Sequence, residues 1–255
     1  MHPTRLQAAI IEAVRNEGAV RIAALARRLA VSDETIRRQV KPLVADGLLT
    51  RTHGGIAWAA ARSEPPFHRR LAERAAAKRM IGELAAERVQ DGQTVMIDTG
   101  STTAYTAEAL SRRRRDLTVI TNSLEIARRL VGRNGNRVFL AGGELRADLA
   151  AAVGPEAVAF LDQFRADLAI LSIAAIDPEA GLMDFDLDEA RIARTMLTHA
   201  RARLVVADTS KFGRRAPVWV CAAGEIGTVV TEAPPPAELA ARLSEAGVEL
   251  LWPAG

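Results

Sequence analysis

The chain has 255 residues, of which 49% are hydrophobic and 25% charged, a mix typical of globular proteins and unlike that of disordered, collagen-like or coiled-coil chains. A single cysteine, Cys221, excludes an intrachain disulfide and a four-cysteine zinc site, and suits a reducing compartment. The net charge of +3 is unevenly distributed, because residues 1–62 hold ten basic and five acidic residues, whereas residues 63–255 hold twenty-four and twenty-six. A small basic segment on a nearly neutral body is typical of a nucleic-acid-binding head.

Targeting and metal signals are missing from the sequence. The N-terminus has no apolar signal-peptide stretch and no run of eighteen apolar residues occurs, so we expect neither export nor a membrane span, and a cytoplasmic protein. The histidines are too far apart in the sequence to suggest a metal cluster: His2, His53, His68 and His199. We therefore expect no metal and no cofactor.

Two short amphipathic helices are predicted first. In residues 4–17 apolar side chains recur every three or four residues, and Gly18 ends the helix. A second helix has its apolar side chains within residues 22–29 and is followed by a tight joint at residues 30–32.

A third helix is predicted over residues 33–46. Ser32 accepts hydrogen bonds from its first free amides, two acidic residues favour the positive end of its dipole, and Gly47 ends it. Pro42 removes one backbone hydrogen bond, which predicts a kink. The exposed face combines hydroxyl, amide and cationic groups suited to phosphates and base edges: Thr35, Arg37, Arg38, Gln39 and Lys41.

Two short strands follow, at residues 48–52 and 56–58. Their connection, His53-Gly54-Gly55, permits a tight hairpin because of its glycines. Three helices followed by a hairpin make a winged helix-turn-helix, an arrangement that binds double-stranded DNA.

The motifs in this region resemble those of the DeoR family of bacterial transcriptional regulators. The matching residues are Val31-Ser32, Thr35-Ile36-Arg37-Arg38, Gly47-Leu48-Leu49, Arg51 and His53-Gly54-Gly55. The resemblance implies an operator-binding head. The candidate DNA-binding residues are Ser32, Thr35, Arg37, Arg38, Gln39, Lys41, Arg51, His53, Gly54 and Gly55.

Residues 59–66 are small, polar and proline-bearing, which is typical of a linker. We therefore predict a DNA-binding domain at residues 3–58 and a second domain at residues 67–255. The second domain begins with one long helix predicted over residues 67–89. Six short apolar runs then alternate with helical stretches, which predicts an α/β domain with a mainly parallel sheet. The runs are residues 95–97, 117–120, 138–140, 168–171, 204–206 and 228–230.

The loops after these strands are rich in hydroxyls, amides and cations. They comprise residues 98–103, 121–123, 142–146 and 208–213. In parallel sheets, ligands bind beyond the carboxyl ends of the strands. Each loop alone is compatible with ordinary turn and capping chemistry, but together they favour a site for an anionic polyol or sugar phosphate. Asp98, Asp177 and Asp208 either orient ligand hydroxyls or cap helices and pair with arginines.

The second domain also resembles the sensor domain of the DeoR family, which shares its fold with ribose-5-phosphate isomerase. Within the family, the resemblance is closest to members that control glycerol 3-phosphate metabolism, through residues 141–146, 163–165, 176–177, 184–186 and 231–236. It implies a homo-oligomeric repressor, a dimer or a tetramer, of a sugar or polyol catabolic operon. The repressor is released by a phosphorylated effector, with glycerol 3-phosphate favoured. The candidate effector-binding residues are Asp98, Thr99, Gly100, Ser101, Thr102, Thr103, Asn122, Ser123, Gly142, Gly143, Arg146 and Lys211.

Other functions remain open at this point. An enediol-forming isomerase needs a carboxylate base beside a sugar-phosphate site, and carboxylates are available at Asp98, Asp184, Asp186, Asp188 and Glu189. A nonspecific nucleoid protein would bind all duplexes equally. The run of arginines at residues 112–115 is either a solvated helix face or a second nucleic-acid patch. Because a winged head has no role in isomerase chemistry, we predict a regulator without catalytic residues.

Overall fold

The computed structural model describes residues 5–17, 19–45, 49–52, 54–58 and 64–253. The chain divides into two compact units, Met1–Arg69 and Arg70–Gly255. Several positions used in the sequence predictions lie outside the described residues: Gly18, Asp46, Gly47, Leu48, His53 and residues 59–63.

The first unit is a winged helix-turn-helix, as predicted. Its elements are α1 (Arg5–Glu17), β1 (Ala19–Arg21), α2 (Ile22–Arg28), α3 (Asp33–Ala45), β2 (Leu49–Thr52) and β3 (Gly55–Trp58). The strands form an antiparallel sheet in the order β1-β3-β2. The sequence did not predict β1, because three residues are too few to show an alternating pattern. The core contains Ile10, Leu25, Ile36, Leu49 and Ile56.

Two residues, Ala30 and Ser32, shape the connection between α2 and α3. Ala30 adopts a left-handed φ of 52°, which turns the chain after α2. The Ser32 Oγ then accepts a hydrogen bond from the Thr35 amide at 3.1 Å, the predicted cap. The α3 helix is continuous through Pro42, although the Arg38 carbonyl cannot receive an amide hydrogen bond from that proline.

The single long helix predicted over residues 67–89 is wrong. The structure has two helices, α4 (Phe67–Ala72) and α5 (Ala75–Glu87). Between them Arg74 adopts a left-handed conformation, with φ 51° and ψ 36°. The Arg74 guanidinium lies 3.1 Å from Asp208 Oδ1 and 2.5 Å from Glu232 Oε1, so contacts with residues over 130 positions away accompany the break.

The second unit is built on the predicted parallel sheet. Seven parallel strands lie in the order β15-β14-β12-β9-β4-β5-β6. They are β4 (Thr94–Ile97), β5 (Thr118–Thr121), β6 (Arg137–Leu140), β9 (Ala166–Ser172), β12 (Ala200–Val206), β14 (Thr228–Val230) and β15 (Glu249–Leu251). The six predicted runs are all strands, and β15 was missed. The helices that follow α5 are α6 (Ser101–Arg113), α7 (Leu124–Leu130), α8 (Pro155–Leu161), α9 (Leu187–His199) and α10 (Ala237–Glu245).

Two small antiparallel sheets were not predicted. One pairs β7 (Glu144–Arg146) with β8 (Ala151–Val153). The other has the order β10-β11-β13, formed by β10 (Ala175–Asp177), β11 (Gly181–Asp184) and β13 (Val218–Cys221). Alternate side chains of the large sheet enter two separate apolar clusters; for example, Met96 belongs to one, and Val95 and Ile97 to the other. Among the described helices, none is both long and apolar enough to cross a bilayer.

Candidate functional site

The α3 helix has one buried and one polar face. Ile36, Val40 and Leu43 are buried in the core of the first unit. The exposed residues include the candidate DNA-binding positions Ser32, Arg37, Arg38 and Lys41, whereas Thr35 and Gln39 are half-buried. The amphipathic pattern therefore directs three cationic residues away from the core.

The hairpin lies beside this helix. A cleft of about 240 Å³ separates α3 from the hairpin, and its lining includes Arg37, Arg51 and Gly54. Gly54 is exposed with a φ of 76°, a conformation that favours glycine. A Cβ on Gly55 would lie 2.6 Å from the Val20 carbonyl oxygen, so this glycine permits close approach of β3 to β1. Within the described part of the first unit, the structure thus brings together the candidate DNA-binding residues of α3 and of the hairpin.

The loop after β4 leads into α6, a helix without a side-chain cap. Gly100 occupies the N-cap position, and a Cβ there would lie 2.3 Å from the Ser172 Cβ. The first amides of a helix have no partner within it and carry partial positive charge, so they bind anions. In the described part of the chain, the hydroxyls of Ser101 and Thr102 make no hydrogen bond with other protein groups. The start of α6 is thus suited to an anion.

Other hydroxyls and amides of the candidate loops hold the loops together. The Thr99 amide donates to Asn122 Oδ1 at 3.1 Å, and the Thr99 hydroxyl donates to the Leu149 carbonyl at 3.0 Å. Asn122 Nδ2 donates to the Ala152 carbonyl at 3.0 Å, and Ser123 Oγ caps α7. The Thr103 hydroxyl donates to the carbonyls of Asp98 and Gly100. The loops after β4 and β5 therefore meet as predicted. The sequence missed the segment at residues 149–152, which contributes mainly backbone carbonyls.

The loop after β6, at residues 142–146, contains Arg146, whose charge is neutralised by two carboxylates. Arg146 Nη2 lies 2.7 Å from Asp148 Oδ2, and Arg146 Nη1 lies 2.5 Å from Asp186 Oδ2. The hydrogen bonds with Asp148 and then Asp186 raise the pKa of the Arg146 guanidinium above its usual value. A Cβ added at Gly142 would meet no atom within 4 Å, and Gly143 has a φ of 135°. The guanidinium of Arg146, which was predicted to bind the effector, is therefore paired with the carboxylates of Asp148 and Asp186.

Asp98, Asp177 and Asp208, whose roles the sequence left open, have different environments. Asp177 pairs with Arg215, whose hydrogen bond lowers the pKa of the carboxyl to about 2. Asp208 pairs with Arg74 and caps the turn that contains Lys211. Asp98 is 6% exposed and accepts a hydrogen bond from the Ser172 amide at 2.9 Å.

Burial raises the pKa of the Asp98 carboxyl well above its usual value. The hydrogen bond from the Ser172 amide opposes this rise, and the charge of Asp184 adds to it. Pairing and capping therefore account for Asp177 and Asp208. Asp98 remains the buried carboxyl beside the uncapped helix.

Two buried cations adjoin these loops and were not among the predicted site residues. Lys78 is 4% exposed and Arg70 is 7% exposed. The pKa of Lys78 is lowered to about 8, mainly by burial. The charges of Lys211 and Arg70 also lower it, whereas the charge of Asp208 raises it. The charge of Arg70 also lowers the pKa of Asp98. The sequence did offer a signal for Lys78, because this lysine stands among the apolar positions of an amphipathic helix.

Three of the arginines at residues 112–115 pair with acidic residues, and the fourth, Arg114, donates to the Ala86 carbonyl at 3.0 Å. Arg112 and Arg113 each lie 2.5 Å from a Glu83 carboxylate oxygen, and Arg115 lies 3.0 Å from Asp91. These pairs favour a solvated helix face over a second nucleic-acid patch. In the described residues, no group of histidine, cysteine and acidic side chains is arranged to hold a metal ion.

Comparisons with known proteins match the two units to two domains of the same family. A model of the DeoR-like helix-turn-helix domain matches residues 6–61, and a model of the DeoR C terminal sensor domain matches residues 73–233. The chain is 35% identical to the glycerol-3-phosphate regulon repressor of Escherichia coli K12 over 250 residues, which cover 98% of this chain and 99% of the repressor. It is 35% identical to the HTH-type transcriptional repressor CsqR of the same organism over 240 residues, covering 94% and 92% of the two chains.

Similarity extends to further regulators and to solved structures. The transcriptional repressor AccR of Agrobacterium fabrum is 33% identical over 228 residues, covering 89% of this chain and 88% of AccR. A ribose-5-phosphate isomerase in complex with phospho-erythronic acid matches at 17% identity and a TM-score of 0.41, over 54% of each chain.

Proposed function

This chain belongs to the DeoR family of transcriptional regulators, and on that premise we propose that it represses a sugar or polyol catabolic operon until a phosphorylated metabolite releases it. It is a DNA-binding repressor rather than an enzyme, since its relatives of nearly full length are named repressors. We favour glycerol 3-phosphate as the effector and the cytoplasm as the place of action. We assign operator binding to residues 3–58, a linker to residues 59–66, and effector binding and homo-oligomerisation to residues 67–255.

The exposed face of α3 supports operator recognition. Arg37, Arg38 and Lys41 are exposed while Ile36 and Val40 anchor the opposite face. In this proposal α3 enters the major groove, where a guanidinium reads guanine through two hydrogen bonds, and Arg51 contacts phosphate. A homo-oligomer then places two heads at the spacing of repeated half-sites.

The uncapped N-terminus of α6 is the observation that carries the effector proposal. Its first amides, with the hydroxyls of Ser101 and Thr102, are suited to hold the phosphate. Lys211 and the buried Lys78 supply positive charge, and Asp98 accepts from ligand hydroxyls. Linkage requires that operator DNA weaken effector binding by the same factor by which the effector weakens operator binding.

The test begins with selection of duplexes from a random pool by the full chain. We expect the selected sequence to bind about a thousandfold more tightly than unrelated DNA. Glycerol 3-phosphate should lower operator affinity at least about tenfold, which matches the usual size of allosteric coupling, whereas glycerol, which lacks the phosphate, should not. Equal affinity for all duplexes contradicts operator recognition, and an unchanged affinity with glycerol 3-phosphate contradicts that effector.

Substitutions separate the two activities. Arg38→Ala should weaken operator binding by about tenfold to a hundredfold, because a guanidinium reading a base contributes about 1–3 kcal/mol. Lys211→Ala should bind the operator normally and lose the response to ligand. Arg242→Ala serves as the control, because this exposed arginine forms its ion pair, within the described part of the chain, with Glu238 of the same helix. A retained response in Lys211→Ala contradicts the assigned site.

A further inference from the structure

The last carbonyls of α4 receive hydrogen bonds from side chains of two other helices. The Arg70 carbonyl accepts from the Lys78 ammonium of α5 and also from the Glu73 amide at 3.2 Å. The Leu71 carbonyl accepts from the Tyr105 hydroxyl of α6 at 3.0 Å. The final carbonyls of a helix have no donors within it, and a helix of six residues is not stable by itself. Lys78 and Tyr105 therefore connect the end of α4 to α5 and α6.

These two donors connect α4 to the candidate effector site. Tyr105 lies one turn after Ser101, on the helix whose N-terminus is proposed to bind phosphate. Burial and the charges of Asp208 and Lys211 set the pKa of Lys78, so its ammonium lies within electrostatic reach of the loop after β12. Arg70 adds a second connection, because its side chain is buried and its charge lowers the pKa of Asp98.

The same helix contains the boundary between the two units. The first unit ends at Arg69 and the second begins at Arg70, within α4. The first residues of the second unit are therefore bonded to Lys78 and Tyr105, which lie on helices that adjoin the candidate effector site.

We propose that Lys78 and Tyr105 are positioning residues that transmit effector binding to α4, a proposal that rests on the proposed function. A bound phosphate attracts the Lys78 ammonium, which then shares its charge between the ligand and the Arg70 carbonyl. The α4 end is held differently in the two states. Because a ligand shifts a conformational equilibrium only through differential affinity, this exchange favours the arrangement in which the operator is released.

The first test replaces the Tyr105 hydroxyl. Tyr105→Phe removes the donor to the Leu71 carbonyl and keeps the ring. Ser111→Ala is the matched control, because it removes a hydroxyl on the same helix whose hydrogen bond, at 2.8 Å, goes to the Glu108 carbonyl of that helix. Effector affinity is measured by calorimetry with glycerol 3-phosphate in the absence of DNA. Operator affinity is measured with and without saturating glycerol 3-phosphate.

We expect Tyr105→Phe to bind effector within twofold of the wild type. The ratio of operator affinities without and with effector should fall at least threefold. Ser111→Ala should match the wild type in both measurements. This split between retained binding and lost coupling distinguishes transmission from a general loss of folding.

The second test changes the ammonium. Lys78→Met removes the charge and the donor at similar side-chain length, so we expect weaker effector binding and a ratio near one. Lys78→Arg keeps the charge, and we expect it to restore part of the ratio. Between pH 7 and pH 9 the wild-type ratio should fall and the Lys78→Arg ratio should stay constant, since the pKa of Lys78 is about 8. The charged groups that face the ammonium are Asp208, Lys211, Arg70 and Glu73.

The outcomes separate this inference from the proposed function. If glycerol 3-phosphate moves operator affinity in the wild type, and both Tyr105→Phe and Lys78→Met respond with the wild-type ratio, the role of α4 is refuted and the repressor function stands. If no phosphorylated sugar or polyol changes the operator affinity of the wild type, the proposed function fails, and the inference fails with it.

Discussion

A single methyl group added at Gly100 tests the close approach on which the proposed anion site depends. A Cβ at this position would lie 2.3 Å from the Ser172 Cβ, 2.5 Å from the Ser172 Oγ and 2.9 Å from the Thr103 Oγ1. Carbon atoms in contact are about 3.5–4.0 Å apart, so in Gly100→Ala the start of α6 and the end of β9 must separate by roughly 1 Å or more.

The neighbours of Gly100 are not free to move apart. The Ser172 amide is bonded to Asp98 Oδ1 at 2.9 Å, and the Thr103 hydroxyl donates to the Gly100 carbonyl at 3.0 Å. Inserting a group into a packed interior costs about 1–3 kcal/mol. We therefore expect Gly100→Ala to lower the free energy of unfolding by about 2 kcal/mol and to weaken glycerol 3-phosphate binding, because the anion loop is displaced.

Urea unfolding of the full chain, followed by tryptophan fluorescence, measures the stability change. The control is Gly142→Ala, whose added Cβ meets no atom within 4 Å, so its effect should stay within about 0.5 kcal/mol. In Gly100→Ala/Ser172→Gly the obstructing Cβ is absent, and the two substitutions should show a favourable coupling of about 1 kcal/mol or more. Equal unfolding midpoints for Gly100→Ala and Gly142→Ala would refute the close approach.

Three further substitutions test separate parts of the fold. Ser32→Ala should reduce the free energy of unfolding by about 1 kcal/mol, because α3 loses its cap, whereas Ser32→Asp keeps an acceptor; equal urea midpoints for the two variants would contradict this. Arg74→Ala leaves the carboxylates of Asp208 and Glu232 without their cation and should cost about 1–3 kcal/mol at neutral pH. Although burial opposes it, hydrogen bonds from Thr209 and Arg74 lower the pKa of Glu232, so the cost should shrink as the pH falls through the carboxyl range. The folded chain releases the Lys78 proton at a pKa of about 8, below the unfolded value, so from pH 8 to 10 the wild type should gain about 2–3 kcal/mol relative to Lys78→Met; parallel stability profiles would refute this.

Local patterns in the sequence were sufficient to predict the fold class of both units, although not every strand and helix boundary. Apolar spacing predicted α1, α2 and α3, and the glycines at residues 54 and 55 predicted the hairpin, because these signals lie within a few residues of one another. The six apolar runs predicted strands of a parallel sheet, since strands buried on both faces are apolar along their whole length. The loops at the carboxyl edge followed from that topology.

The tertiary structure decided what each side chain in those loops does. Helical spacing continued across Arg74, yet the helix is interrupted there, where Arg74 contacts Asp208 and Glu232 from distant parts of the chain. Arg146 was expected to line the site, but its charge is taken up by Asp148 and by Asp186, forty residues away. The environment of Lys78 likewise depends on the loop after β12. Sequence periodicity reports which face of an element is buried, whereas the partner of a charged side chain is fixed only when distant segments pack together.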